Sequence, residues 1–326
     1  MRWLIVFLAL IGFSNAALAR CDSGETVIKF AQRTSDVSAA LQRTLYNLRT
    51  AINLELQGRA CMAVEVDDEK YSGLALLTAL QSGEFQMAAP SYSEMGGVLP
   101  DYKVFNLPFA FRDIYGLKRF QALSGKQLAM ALARFDALSL AFWSGQFVQI
   151  AAKKPVHVPG DVTGLRVLRG TGSLFANVIS ELDTVAVTVP AEELVDAVKD
   201  GRIEAQMSGW EQLLNDKTAS IHDDVTQTNM LYLGNQLIVS KTWWESLSPE
   251  LKKPLSALID RVSGQSNLDN EQRSLNARRE LMASGVPVRL LTRKQRKVWL
   301  QTFADDWSSF ENSNLLMQLR ASDRRP

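Results

Sequence analysis

Apolar positions along this chain recur at two spacings, and the two alternate. Residues 27–32 read as a strand. Ser35 or Asp36 then offers a helix cap, and Leu41, Leu45, Leu48 and Ile52 fall on one stripe that Gly58 closes. The pattern predicts a second strand over 60–66, a helix over 73–82 and a third strand over 84–89. An irregular stretch containing LPFAF precedes a helix over 113–135 and an apolar strand over 138–143. Farther on, 164–169, 184–189 and 202–207 read as strands, and 230–240 is a long apolar segment. Ser248-Pro249-Glu250 starts a long helix, with Pro at the first helical position. Gly285 ends the helical region and 286–291 is a strand. Thr292 then caps an amphipathic helix carrying Trp299, Phe303, Trp307 and Phe310. Such alternation predicts an α/β protein with parallel strands and helices on both faces.

Two segments share one pattern. LLTALQSGEFQMA (76–88) and LVDAVKDGRIEAQ (194–206) align without gaps, each an apolar helix, a C-capping Gly (Gly83, Gly201) and a strand. Chance similarity between two ordinary helix-to-strand units is one explanation; two α/β lobes built on one plan is the other. In the second case 144–154 is a first crossing between lobes and 230–240 returns the chain, which gives a hinged pair. The expected division is 20–147 with about 234–270 in lobe I, and 148–233 with about 271–326 in lobe II. Ligands of open α/β sheets bind beyond the carboxyl ends of the strands, so the site is expected in the cleft between the lobes. Arg169, Ser91 and Ser208 then lie on that cleft.

Composition removes several functions. Thirty-six Lys and Arg against 35 Asp and Glu leave no field to attract nucleic acid or anionic lipid. A chain of 326 residues has material for about two domains. The start, MRWLIVFLALIGFSNAALAR, has one basic residue, an apolar run from Trp3 to Phe13 and a small-x-small site at Ala17-Leu18-Ala19. That is the pattern of a cleaved secretory signal over 1–19, and its apolar run is too short to span a bilayer. A lipid-anchored Cys21 is disfavoured by Arg20 before it. The mature protein is expected to be soluble and exported to the periplasm. Both cysteines, Cys21 and Cys61, survive cleavage and enter an oxidising compartment, which invites a disulfide; two free buried thiols are the alternative. Two His and two Cys supply no cluster with metal-ligand spacing, so no metal is expected. No cofactor is called for either.

In GLRVLRGTGS (164–173) a strand ends in Arg169 and a glycine-rich turn follows. A guanidinium there can donate two parallel hydrogen bonds to a carboxylate, and the turn adds backbone donors at a helix start. A solvent-facing Arg on an ordinary turn is the competing explanation. Lesser candidates are Gln32 and Arg33 after the first strand, then Ser91, Tyr92 and Glu94 after the third. Trp143, Gln146 and Phe147 border the crossing, and Trp210 follows Ser208. Core packing or ordinary surface is the alternative for each. His157 and His222 sit in polar, loop-like settings, and no nucleophile elbow, phosphate loop or HExxH helix occurs. An enzyme is therefore not expected.

The signal-like start, LTALQSGEFQM, LPFAF, KKPVHVPGDVTGLRVLRGTGS, VPAEELVDAVKDGRIEAQ and TWWESLSPELKKPL together resemble the periplasmic solute-binding subunits of TRAP transporters. The resemblance implies a two-lobed, type II periplasmic-binding fold, lobes joined by crossing strands and a long helix. It implies capture of a small carboxylate and delivery to membrane permease subunits; an extracytoplasmic ligand sensor working with a membrane receptor is the other function it allows. The family's strand-end Arg falls on Arg169 if one residue is inserted ahead of it, and otherwise on Leu168, with Arg166 the nearest alternative. The family's second Arg has no counterpart in SGQFVQIAAKKP, where Gln146, Phe147 and Gln149 stand. Ser208 takes the place of the family's ligand-contacting Asn.

Overall fold

The structure, a computed structural model, describes residues 21–33, 38–168, 173–308, 310 and 313–323. The chain starts with β1 (Thr26–Gln32), α1 (Ala39–Glu55), β2 (Ala60–Val66), α2 (Gly73–Gln81), β3 (Met87–Ala88) and α3 (Tyr92–Val98). After a 3₁₀ turn at Pro100–Asn106 come α4 (Ile114–Ala133) and β4 (Ala137–Phe147), and past Val148 alone, β5 (Gln149–Ala152). Then follow β6 (Arg166–Leu168), α5 (Ser173–Glu181), β7 (Val185–Val187), α6 (Leu194–Lys199) and β8 (Ala205–Ser208). Next are α7 (Trp210–Asn215), α8 (Ala219–His222), β9 (Asp224–Gln227) and β10 (Tyr232–Ser240). The chain finishes with α9 (Lys241–Ser246), α10 (Pro249–Ala283), β11 (Val288–Leu290), α11 (Arg293–Thr302), α12 (Ala304–Ser308) and α13 (Asn314–Ser322).

These strands make two sheets, ordered β2-β1-β3-β10-β4 and β11-β9-β5-β8-β6-β7. In the first, β1 is parallel to β2 and β3, and β10 opposes both β3 and β4. In the second, β6 is parallel to β7 and β8, and β5 opposes β8 and β9. Direction alone then fixes how the lobes meet. β4 leaves the first sheet at the edge where β1, β2 and β3 end, and β5 enters the second where β6, β7 and β8 end. The return through residues 228–231 joins the same two edges in reverse. The crossings are bonded to each other, Val148 N–H to the Leu231 carbonyl (2.9 Å) and Met230 N–H to the Val148 carbonyl (3.2 Å). The carboxyl edges of the two sheets therefore face one another.

The repeated sequence segments occupy matching places. Gly83 (φ +78°) and Gly201 (φ +79°) both take the left-handed conformation after their helices. Phe85 and Ile203 are both fully buried. Met87 sits opposite Phe30, and Ala205 opposite Val167, in equivalent parallel pairs. α10, at 35 residues about 50 Å long, spans the lobes: Leu251, Leu255, Leu258 and Ile259 pack on the first sheet, Ala277 and Leu281 on the second. At the end of the chain Leu315, Leu316 and Leu319 join the core beside α4, so α13 sits with the first sheet although β11 belongs to the second.

Some local expectations change. The cap of α1 is Ser38, whose Oγ accepts the Leu41 N–H at 3.1 Å; Ser35 and Asp36 lie outside the described residues, as does the leader-like 1–19. The third strand shortens to two residues, because Gly83 turns the chain before it and Pro90 has no N–H to continue it. The aromatic helix after Thr292 breaks at Phe303 into α11 and α12. β9 was hidden by its polar residues Asp224 and Thr226. Both are buried, since Arg289 and the Val156 N–H supply their partners. Cys21 and Cys61 are joined by a disulfide, Cα atoms 5.4 Å apart, at the amino ends of β1 and β2. Among the described residues no helix is long and apolar enough to cross a membrane.

Candidate functional site

On the first carboxyl edge, β1 ends at Gln32, whose carbonyl accepts the Asp67 N–H at 3.1 Å. Next to it the Arg33 guanidinium lies 3.6 Å from the Glu94 carboxylate and 3.9 Å from that of Asp68. Glu94, in the first turn of α3, also accepts the Gly73 N–H at 2.9 Å. Ser91 caps the same helix, its Oγ accepting the Glu94 N–H at 3.1 Å, and its backbone bridges to Asn235. Tyr92 is buried, and its hydroxyl accepts from Gln121 at 3.2 Å; burial holds its ionisation well above the usual tyrosine range.

On the second edge β6 ends at Leu168. Residues 169–172, Arg169 among them, lie outside the described residues, and α5 begins at Ser173. Arg166 points elsewhere. Its guanidinium donates to the Gly201 carbonyl (2.6 and 3.1 Å) and lies 3.3 Å from Glu204, and both residues precede β8. That places it at the amino ends of the strands, away from the cleft. Ser208 closes β8, half-buried, beside Gln149 of β5. Across the lobes α3 lies against α5. The first turns of α1 and α5 begin at the two facing edges, where their N–H groups favour an anion.

At the crossing, the side chains find partners that sequence reasoning did not foresee. Gln146 Oε1 accepts the Glu211 N–H at 3.1 Å, and its Nε2 donates to the Glu211 carboxylate at 3.4 Å. Phe147 meets Tyr232 edge to face, with ring centroids 4.9 Å apart. Gln149 and Asn229 exchange two hydrogen bonds. Trp210 is buried beneath the Arg278 guanidinium in the core between α7 and α10. Trp143 is likewise core, stacked on Phe30, its indole N–H donating to Ser263 at 2.8 Å. Arg43, Glu211 and Asn270, which also converge here, carry no sequence signal: each is an ordinary charged or polar helix residue until the fold brings it across.

The histidines stand apart from the cleft. His157 is exposed, and His222 is fully buried at the end of α8, before the amino end of β9. Neither ring nitrogen of His222 has a hydrogen-bond partner among the described residues, and burial, aided by Lys153, pulls its pKa down to about 4.

The family model for bacterial extracellular solute-binding protein, family 7, matches residues 30–314. The chain belongs to that family. Family 7 members are solute-binding proteins rather than enzymes. A C4-dicarboxylate-binding periplasmic protein, DctP, of Vibrio cholerae serotype O1 is 30% identical over 306 residues, covering 93% of this chain and 91% of the relative. A TRAP periplasmic solute-binding protein from Shewanella oneidensis with bound succinate superposes with a TM-score of 0.73 at 20% identity, covering 92% of this chain and 100% of that one. Another, from Pseudomonas aeruginosa PAO1 with bound L-malate, gives 0.65 at 25% identity and covers 87% and 99%. The two-lobed fold of these neighbours accounts for the two sheets.

Proposed function

We propose that this protein is the periplasmic binding subunit of a TRAP-type transporter, exported by a leader over 1–19, which captures a small organic acid between its lobes and hands it to membrane permease subunits. The observation that carries this reading is the facing of the two carboxyl edges, each starting a helix toward the gap, in a family 7 chain. The ligand carboxylate pairs with Arg169. At the end of β1 the corresponding cation, Arg33, faces two carboxylates of its own lobe, Glu94 and Asp68. Ser208 stands beside that strand end and Phe147 offers an aromatic wall. The relatives that hold succinate and L-malate support an acid of that size.

Native mass spectrometry of gently purified periplasmic protein, followed by a melting-temperature screen, tests the reading. Mono- and dicarboxylates and sugar acids should raise the melting temperature, because a ligand that binds only the folded state stabilises it by mass action. Neutral sugars should not. Stabilisation by neutral sugars alone, or by metal ions alone, overturns the carboxylate assignment.

A further inference from the structure

Arg43 lies near the start of α1, on the first lobe, and Glu211 is the second residue of α7, on the second. Arg43 Nη1 and Nη2 meet the two carboxylate oxygens of Glu211 at 2.6 and 2.9 Å, a two-pronged ion pair joining the lobes. The side chains are 30% and 13% exposed, so the pair is neither fully wet nor fully dry. Each end is held in place. Arg43 Nη2 also donates to Asn270 of α10 at 3.1 Å, and buried Asn270 donates in turn to Thr44 of α1 and the Ser144 carbonyl of β4. At the other end Gln146 grips Glu211 twice, and Gly209 keeps the approach open: a Cβ there would fall 2.2 Å from Gln146 Oε1.

We propose that Arg43 and Glu211 are the positioning pair of the capture step, a latch that holds α7, and with it Ser208, against the first lobe and opens when the lobes part. A buried pair would be a poor latch, since opening would leave a charge stranded in apolar surroundings. Here a groove of about 480 Å³, lined by Gln42, Arg43, Asn47, Asp269 and Arg273 among others, brings solvent to one side of the bridge. Both charges can rehydrate as they separate, so the bridge is strong when made and cheap to break. The latch rests on the two-lobed fold, and on the solute-binding reading only for its effect on ligand retention.

The test uses the full mature protein in carboxylate-free buffer, with Arg43→Gln, Glu211→Gln and the gentler Arg43→Lys, each checked for fold by circular dichroism. Small-angle scattering should show a larger radius of gyration for the two Gln variants, and hydrogen exchange at the α7 amides should quicken on the order of tenfold, with Arg43→Lys between them and the parent. With succinate as the probe, dissociation should quicken by a similar factor while association changes little. Parent-like scattering and α7 exchange in every folded variant overturns the latch, whichever acid binds. A screen in which no carboxylate binds counts against the proposed ligand instead, and leaves the scattering result to decide the latch.

Discussion

The unit β1–α1–β2–α2–β3–α3 and the unit β6–α5–β7–α6–β8–α7 share one strand order, one direction and one helix-turn-strand pattern, yet they are finished differently. The first has two seven-residue strands in full register and a disulfide tying their starts together. It balances its strand-end cation against Glu94 and Asp68, and it caps α3 with Ser91. The second has three-residue strands at β6 and β7 and Gly209 where the alignment puts Ser91. It buries Gln206 where the first has Ala88, satisfied by Thr218 (2.6 Å) and Asp216 (2.9 Å). The first unit answers its strand-end cation with carboxylates of its own lobe. The other turns its polar groups toward the crossing, with Gly209 giving Gln146 room to reach α7. Shared topology makes the cleft, and its two edges are finished with different residues.

That contrast breaks most directly at the two strand-end arginines. Arg169→Ala should weaken binding of the best acid in the screen by about 2–5 kcal/mol, and Arg169→Lys by about 1 kcal/mol or more, by titration calorimetry. Arg33→Gln should cost less than either, because its partners lie within its own lobe. Equal losses at both positions would erase the difference between the edges.

The disulfide sharpens the same contrast in stability. Closing a loop of 40 residues is worth about 2–4 kcal/mol, so replacing both cysteines by Ser should lower the denaturant midpoint by that equivalent. Intact-mass measurement before and after reduction checks the bond itself. Two thiols freely alkylated in unreduced periplasmic protein would remove it as a difference between the lobes.

His222 gives the second lobe a pH response. Its folded pKa of about 4 lies below the ordinary 6.5, so between those values the unfolded chain binds the extra proton. Stability from this group is complete above about pH 6.5 and is lost as pH falls toward 4, by about 1–3 kcal/mol. In His222→Leu that part of the slope should vanish, so denaturant curves at pH 7 and 5 should lie closer together than in the parent. An unchanged pH 5 deficit would mean that other groups carry it. The smallest effect belongs to the cap: Ser91→Ala should cost about 1 kcal/mol, measured by denaturant unfolding.

Much of this was legible from residue order. β2 spans 60–66 as its short apolar run predicts, Gly83 and Gly201 end helices as capping glycines do, and Ser248-Pro249 opens the long helix. Such features depend on neighbours in the chain: period, cap and turn residues act within a few positions. β9 escaped because Asp224 and Thr226 look like loop residues until Arg289 and the Val156 N–H arrive from distant segments. Trp210 reads equally as a ligand contact or as core in the sequence, and the fold buries it, with α10 bringing Arg278 over its ring.

The sequence by itself determined two α/β units, their common pattern and the family, since hydrophobic period and local turn chemistry are written in order along the chain. Only the tertiary structure decided that the carboxyl edges face each other, that Arg33 is answered within its own lobe, and that Arg43 of α1 reaches Glu211 of α7. A side chain's partner depends on which surfaces the fold brings within about 3 Å, and no local pattern encodes that distance.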